Sequence, residues 1–151
     1  MTATRVLFVC AGNTCRSPMA AALAARLTRA GGLDWSVASA GLSAEDGAPM
    51  AEAARRVLAA RGLDGAGHRA RRADEGLIAA ADRVYAMTRA QKYALAARFP
   101  AHAGKISVLR EAAGLGGDVE DPIGRPDAAY EACAASLEEA LTVLTRRNAH
   151  V

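Results

Sequence analysis

The run Arg5-Val-Leu-Phe-Val-Cys10 meets the polar hexapeptide Ala11-Gly-Asn-Thr-Cys-Arg16, and Ser17-Pro18 then opens a long Ala/Leu stretch. A continuous apolar run of this length is expected as a parallel strand buried on both faces. Serine at an N-cap followed by proline at the first helical position is a helix-start signal, and Gly31-Gly32 is a stop. The first unit is therefore read as strand, tight loop, helix, with the helix over 17–30. This unit constrains the fold, because a strand running straight into a helix through a short loop belongs to α/β architecture.

The rest of the chain repeats the alternation. A second strand is expected over 35–39, ending at Ala40-Gly41, and a helix over 49–61, started by Pro49 and closed by Gly62. A short helix at 74–80, a third strand at 83–87, a helix over 88–99 capped by Thr88 and a fourth strand at 105–109 follow. After a loop marked by Gly114-Leu-Gly-Gly117 and Asp121-Pro122, a final helix is expected over 127–147, with Ala132, Leu137, Leu141 and Leu144 at near-helical spacing. Strands alternating with helices imply a parallel sheet with helices on both faces, in one domain covering 1–151.

Bulk properties exclude several function classes. The 151 residues carry 19 Lys and Arg against 16 Asp and Glu, a net charge of +3, too small and too dispersed for a nucleic-acid partner. No apolar stretch approaches the roughly 20 residues needed to cross a bilayer, so no membrane partner is expected. No signal peptide is visible, since the apolar run 6–10 is short and lacks a cleavage-like flank. Three cysteines, Cys10, Cys15 and Cys133, are too few for a disulfide framework. The expected compartment is the reducing cytoplasm, where a free thiol is either buried filler or a reactive group.

In a parallel α/β sheet, ligands bind beyond the carboxyl ends of the strands, where the loop 10–17 is expected. Its backbone N–H groups can turn inward as an anion-binding nest, helped by the positive end of the following helix. Gly12 and Asn13 tolerate the left-handed backbone that such a loop requires. Ala11, Gly12, Asn13, Thr14, Cys15 and Ser17 are the candidate binding residues for a phosphate or similar oxyanion. A thiol at the start of this loop is favoured as thiolate by the helix terminus and a nearby guanidinium, which makes Cys10 the candidate nucleophile. Arg16 can grip two phosphoryl oxygens with its planar fork and stabilise charge developing at phosphorus. Ser17 can donate to the thiolate and favour its departure in a second step. The Gly-Lys-Ser/Thr ending of nucleotide-binding loops is absent.

The segment Val9-Cys-Ala-Gly-Asn-Thr-Cys-Arg-Ser-Pro-Met19 resembles the signature of the low-molecular-weight protein phosphatases. Ser39-Ala-Gly41, His68-Arg-Ala-Arg-Arg72, Ala86-Met-Thr88 and Asp121-Pro122 fall where that family has similar segments. The resemblance implies a three-layer α/β domain, a four-stranded parallel sheet flanked by helices with the phosphate-binding loop after strand 1, a phosphocysteine intermediate, and neither metal nor organic cofactor. It implies phosphorylated proteins as substrates.

Expulsion of an alkoxide, phenolate or amide-like nitrogen requires a proton donor. Asp121 is the candidate, because Pro122 restricts it to extended backbone and because the resemblance places the acid in a late Asp-Pro pair. Asp118 and Glu120 are the alternatives. The resemblance also implies supporting roles for Asn13, Ser39 and His68, and a reversible disulfide between Cys10 and Cys15. Arg69, Arg71 and Arg72 are read as a solvated face, Cys133 as a helix core residue, and His102 and His150 receive no role.

Thr14 stands where phosphotyrosine-directed relatives carry a bulky aliphatic residue, and Ile123-Gly124 where they have an aromatic. The loop resembles that of bacterial protein arginine phosphatases, which gives a slight lean to phosphoarginine. An arsenate reductase would need two further downstream cysteines, and the region 82–90 has none. A phosphocysteine carrier would not need both Arg16 and a general acid.

Overall fold

Strand β1 (Thr4–Cys10) sends its side chains alternately into two separate apolar layers. Val6, Phe8 and Cys10 join one buried cluster, and Leu7 and Val9 join the other. This two-faced burial is why the segment is apolar at every position from Val6 onward rather than at alternate ones. The computed structural model describes residues 3–149, so His150 lies outside the described residues.

β1 is central in a four-stranded sheet of order β2-β1-β3-β4, formed with β2 (Trp35–Gly41), β3 (Arg83–Ala86) and β4 (Ile106–Val108). All pairings are parallel, with Val6 opposite Val37 on one side and Arg83 on the other. Helix α1 (Arg16–Ala30) packs against α6 (Asp127–Ala149) over one face, with α2 (Glu52–Ala60) against α6. Met19, Leu23, Leu58, Leu137 and Leu141 fill that layer. On the other face lie α3 (Glu75–Ala80) and α4 (Arg89–Arg98), contributing Ile78 and Leu95. The expected three-layer fold is thus present. The chain runs from β1 out to β2 and then crosses back to β3 on the far side of β1. The order therefore reverses at the carboxyl end of β1, the position where open α/β sheets bind ligands.

Several boundaries differ from expectation, each for a local reason. Helix α1 begins at Arg16, with Cys15 at the N-cap and no side-chain cap bond. Ser17 is therefore inside the helix, and its hydroxyl is directed at Cys10 rather than at a helical N–H. Helix α2 starts at Glu52 rather than at Pro49, because Ala51 is extended (φ −55°, ψ 139°) and its N–H is bonded to Thr14 O. Leu109 does not extend β4 but opens a further short helix, α5 (Leu109–Ala112), and a 3₁₀ helix occupies Pro100–Lys105. Asp74 and Thr88 cap α3 and α4 through bonds from Leu77 N and Gln91 N.

Candidate active site

The loop between β1 and α1 is held by its carbonyl oxygens. Cys10 O accepts from Leu42 N at 2.9 Å, Ala11 O from Ser43 N at 3.0 Å, and Thr14 O from Ala51 N at 2.8 Å. Asn13 O accepts from His68 Nε2 at 2.6 Å, which fixes the ring's proton on Nε2. In a trans peptide the C=O and the following N–H point in opposite directions. Tying these carbonyls outward therefore turns the N–H groups of Ala11, Gly12, Thr14 and Cys15 toward the concave side, next to the N-terminus of α1. The result is a ring of donors at the positive end of a helix.

Asn13 locks this shape. It has φ 55°, the one positive φ outside glycine among the described residues. Its side chain is fully buried, donating through Nδ2 to Ser17 Oγ at 2.8 Å and to Ser39 Oγ at 2.9 Å. Its Oδ1 accepts from Arg71 N at 3.0 Å, so the whole amide is satisfied. Arg71 also donates from Nε to Ser39 O at 3.1 Å. Arg71 is exposed, as expected for a solvated arginine run, yet its backbone N–H and its Nε both brace the loop. The sequence carried no signal for this, because the bonds span sequence distances of 58 and 32 positions.

Cys10 Sγ lies 2.9 Å from Ser17 Oγ at the base of the ring. Ser17 already accepts from Asn13, so its single proton goes either to Cys10 or to Ala40 O, 3.3 Å away. A thiolate attracts that proton more strongly than a carbonyl does. Arg16 is buried, donating from Nη1 to Val119 O at 3.0 Å, while Nη2 stands 3.5 Å from Asp121 Oδ2. The guanidinium therefore joins the loop to the Asp-Pro segment. Asp121 is 44% exposed at its side chain, and its Oδ1 accepts from Ile123 N at 3.1 Å. The two alternatives are placed differently. Asp118 Oδ1 accepts from Arg89 N, and Glu120 is 83% exposed and faces Arg125. Thr14 is half-buried, and Ile123 is 56% exposed beside Pro122.

Cys133 is a buried residue of α6, as expected, and lies in the same buried cluster as Cys15. The neighbouring Cys133 and burial push the Cys15 thiol up. Among the described residues no group of three or more His, Cys, Asp and Glu side chains is arranged to hold a metal, and no helix is long and apolar enough to cross a membrane.

An α/β sheet with a cysteine-initiated, arginine-closed loop at its switch point defines a class, and comparison with known proteins narrows it. Residues 5–150 match the family model for low molecular weight phosphotyrosine protein phosphatase. A protein-arginine-phosphatase of Geobacillus stearothermophilus is 38% identical over 144 residues, covering 95% of this chain and 95% of the relative. The crystal structure of a low molecular weight protein tyrosine phosphatase from T. tengcongensis superposes with TM-score 0.92 at 41% identity, covering 96% of this chain and 99% of that one. A YwlE arginine phosphatase, a cysteine-to-serine mutant with a phosphorylated active site serine, superposes with TM-score 0.93 at 34% identity, covering 95% of each chain. The chain belongs to the low molecular weight phosphotyrosine protein phosphatase family.

Proposed function

We propose that this chain hydrolyses phosphorylated side chains of proteins, with Cys10 as nucleophile, Arg16 as the phosphoryl clamp and Asp121 as the general acid. The observation that carries this reading is the placement of Cys10 Sγ at 2.9 Å from Ser17 Oγ, beneath a loop that Arg16 joins to Asp121 at 3.5 Å. The inward N–H groups of Ala11, Gly12, Thr14 and Cys15 would hold the equatorial oxygens of a phosphoryl group or another oxyanion. Cys10 thiolate attacks phosphorus in line as Asp121 protonates the departing oxygen or nitrogen, leaving phosphocysteine and a neutral product. Asp121, now a carboxylate, takes a proton from water as the water attacks phosphorus. Phosphate leaves, and Ser17 stabilises the thiolate that is expelled. The neighbouring protein with a phosphorylated active site serine in place of cysteine supports a covalent step at this loop position.

On side-chain preference we favour phosphoarginine over phosphotyrosine. Thr14 lines the loop with a hydroxyl, which suits a polar, planar guanidinium. Ile123 after Pro122 offers no aromatic face for a phenyl ring, a loss of about 1 kcal/mol of stacking. Relatives of both specificities have similar sequences and structures. Free thiol chemistry of this kind fits a reducing, cytoplasmic setting. The test compares kcat/KM for phosphoarginine and phosphotyrosine peptides in wild type, Thr14→Ile and Cys10→Ser. The expectation is a preference for phosphoarginine that Thr14→Ile shifts toward phosphotyrosine, and no turnover by Cys10→Ser. Turnover by Cys10→Ser would overturn the nucleophile, and a wild-type preference for phosphotyrosine would overturn the lean. Arsenate reduction or phosphoryl transfer without hydrolysis would point to the two other uses of such a loop.

A further inference from the structure

The segment that carries Asp121 is exposed and glycine-rich. Gly116 and Gly117 hold φ of 71° and 79°, and Val119 is the one buried residue between positions 114 and 121. Backbone preference alone does not fix a side chain at the end of such a stretch. Two bonds tie it to the junction of β3 and α4. Val119 N donates to Met87 O at 2.9 Å, and Asp118 Oδ1 accepts from Arg89 N at 2.9 Å. Val119 O in turn accepts from Arg16 Nη1 at 3.0 Å, so the same clip meets the phosphoryl clamp. We infer that Asp118 is a positioning residue for Asp121, pinning the acid loop to the N-terminus of α4 so that the carboxyl three residues on faces the phosphoryl site. The inference rests on the proposed role of Asp121 as general acid.

Among the described residues of 114–120, only the Asp118 side chain hydrogen-bonds to a secondary-structure element. Arg89 is the first residue of α4, and the first N–H groups of a helix have no partner inside it. Thr88 Oγ1 accepts from Gln91 N while Asp118 accepts from Arg89 N, so two separate segments share the capping of one helix. A carboxylate suits this end because the helix dipole is positive there. The Arg89 side chain is engaged elsewhere, donating from Nε and Nη2 to Glu111 Oε1 at 3.1 and 2.7 Å. Asp118 therefore holds the backbone of α4 rather than the arginine's guanidinium. Three residues span at most about 10 Å, so this pin confines Asp121 to the neighbourhood of Arg16, whose Nη2 stands 3.5 Å from its Oδ2. A general acid must meet the leaving atom at hydrogen-bond distance. Loosening the pin weakens proton donation and leaves Cys10, on its own loop, in place.

The test measures kcat/KM for phenyl phosphate and p-nitrophenyl phosphate in wild type, Asp118→Ala, Asp118→Asn, Arg89→Ala and Asp121→Asn. This parameter covers cleavage of the bond to the leaving group, and phenolate needs protonation far more than p-nitrophenolate does. Asp118→Ala should lose about 10-fold on phenyl phosphate and less than about 2-fold on p-nitrophenyl phosphate, a fraction of the ~10²–10⁴-fold that general acid catalysis supplies. Asp118→Asn keeps an oxygen acceptor for Arg89 N and has no acidic proton, so it should restore near wild-type values on both substrates. Arg89→Ala leaves the N–H in place and should do the same. Asp121→Asn is the reference for loss of the acid. If that reference is selective for phenyl phosphate while Asp118→Ala shows no loss, or equal losses on both substrates, the inference is overturned and Asp121 keeps its role. It is also overturned if Asp118→Asn is as poor as Asp118→Ala, which would make Asp118 itself the acid, or if Arg89→Ala matches Asp118→Ala. A reference without selectivity overturns the role of Asp121 and this inference together.

Discussion

Asn13 Nδ2 donates to Ser39 Oγ across 2.9 Å, joining the loop residue at φ 55° to the end of β2. Because the same amide also serves Ser17 and Arg71, replacing it removes several buried hydrogen bonds at once. Each unsatisfied buried partner costs about 1–3 kcal/mol. Alanine must also hold a left-handed backbone, at roughly 1 kcal/mol or more. Asn13→Ala is expected to lower Tm and to reduce kcat for an aryl phosphate at least about 10-fold, since a misplaced loop loses preorganised donors. Asn13→Gly restores the backbone freedom but not the bonds. Its Tm should lie above that of the alanine variant while kcat stays low. Full activity in the glycine variant would mean that the side-chain bonds do not matter.

Asp121 stands 3.5 Å from Arg16 with nearly half its side chain open to solvent, a position from which it can meet a leaving group. Asp121→Asn keeps the shape and removes the proton. General acid catalysis is worth about 10²–10⁴-fold. Turnover of a phosphotyrosine peptide should fall by about that factor, and p-nitrophenyl phosphate, whose leaving group needs little protonation, should lose much less. Equal losses on both substrates would return attention to Asp118 and Glu120.

The parts of the site carried by contiguous residues were legible in the sequence, and those made by distant segments were not. Cys10, Arg16 and Ser17 lie on one strand-loop-helix unit whose geometry follows from residue types. The apolar runs read as strands for the same reason. Arg71 is solvated, as an arginine run normally is, and its bonds to the loop were not legible because only the crossing of its segment behind Asn13 supplies them. That Cys15 and Cys133 share one buried cluster depends on α1 and α6 packing together, which periodicity cannot specify. Ser17-Pro18 misplaced the helix start because the usual capping hydroxyl is bonded to a thiol instead.

Gly41 ends β2 directly behind the loop. A Cβ there would sit 2.5 Å from Ala11 O and 3.0 Å from Asn13 N, both backbone atoms that cannot swing aside. Gly41→Ala should therefore force the loop itself to move. A cost of about 1–3 kcal/mol is expected from overpacking, read as a lower urea midpoint with unchanged slope. Phosphate, a product-like inhibitor, should bind more weakly. Gly67→Ala is the control, because nothing lies within 4 Å of its added carbon.

Far from the loop, Arg61 ties the end of α2 to α6, with Nε donating to Glu138 at 2.7 Å and both Nη groups to Glu131 at 2.8 and 2.6 Å. The bonds from Arg61 hold the Glu131 carboxyl below its ordinary value of 4.5. A lowered folded value means that the stabilisation is fully present above the unfolded value and is lost as pH falls through the folded one. Arg61→Ala should lower Tm by about 2–4 °C at pH 7, as expected for a partly exposed ion-pair group. The gap between wild type and variant should close as the buffer is taken below the ordinary glutamate range, and narrow with added salt. Melting curves of the two proteins in parallel from neutral to acidic pH check this. A gap that stays constant into acid would show that Arg61 acts through the packing of its aliphatic stem rather than through its charge.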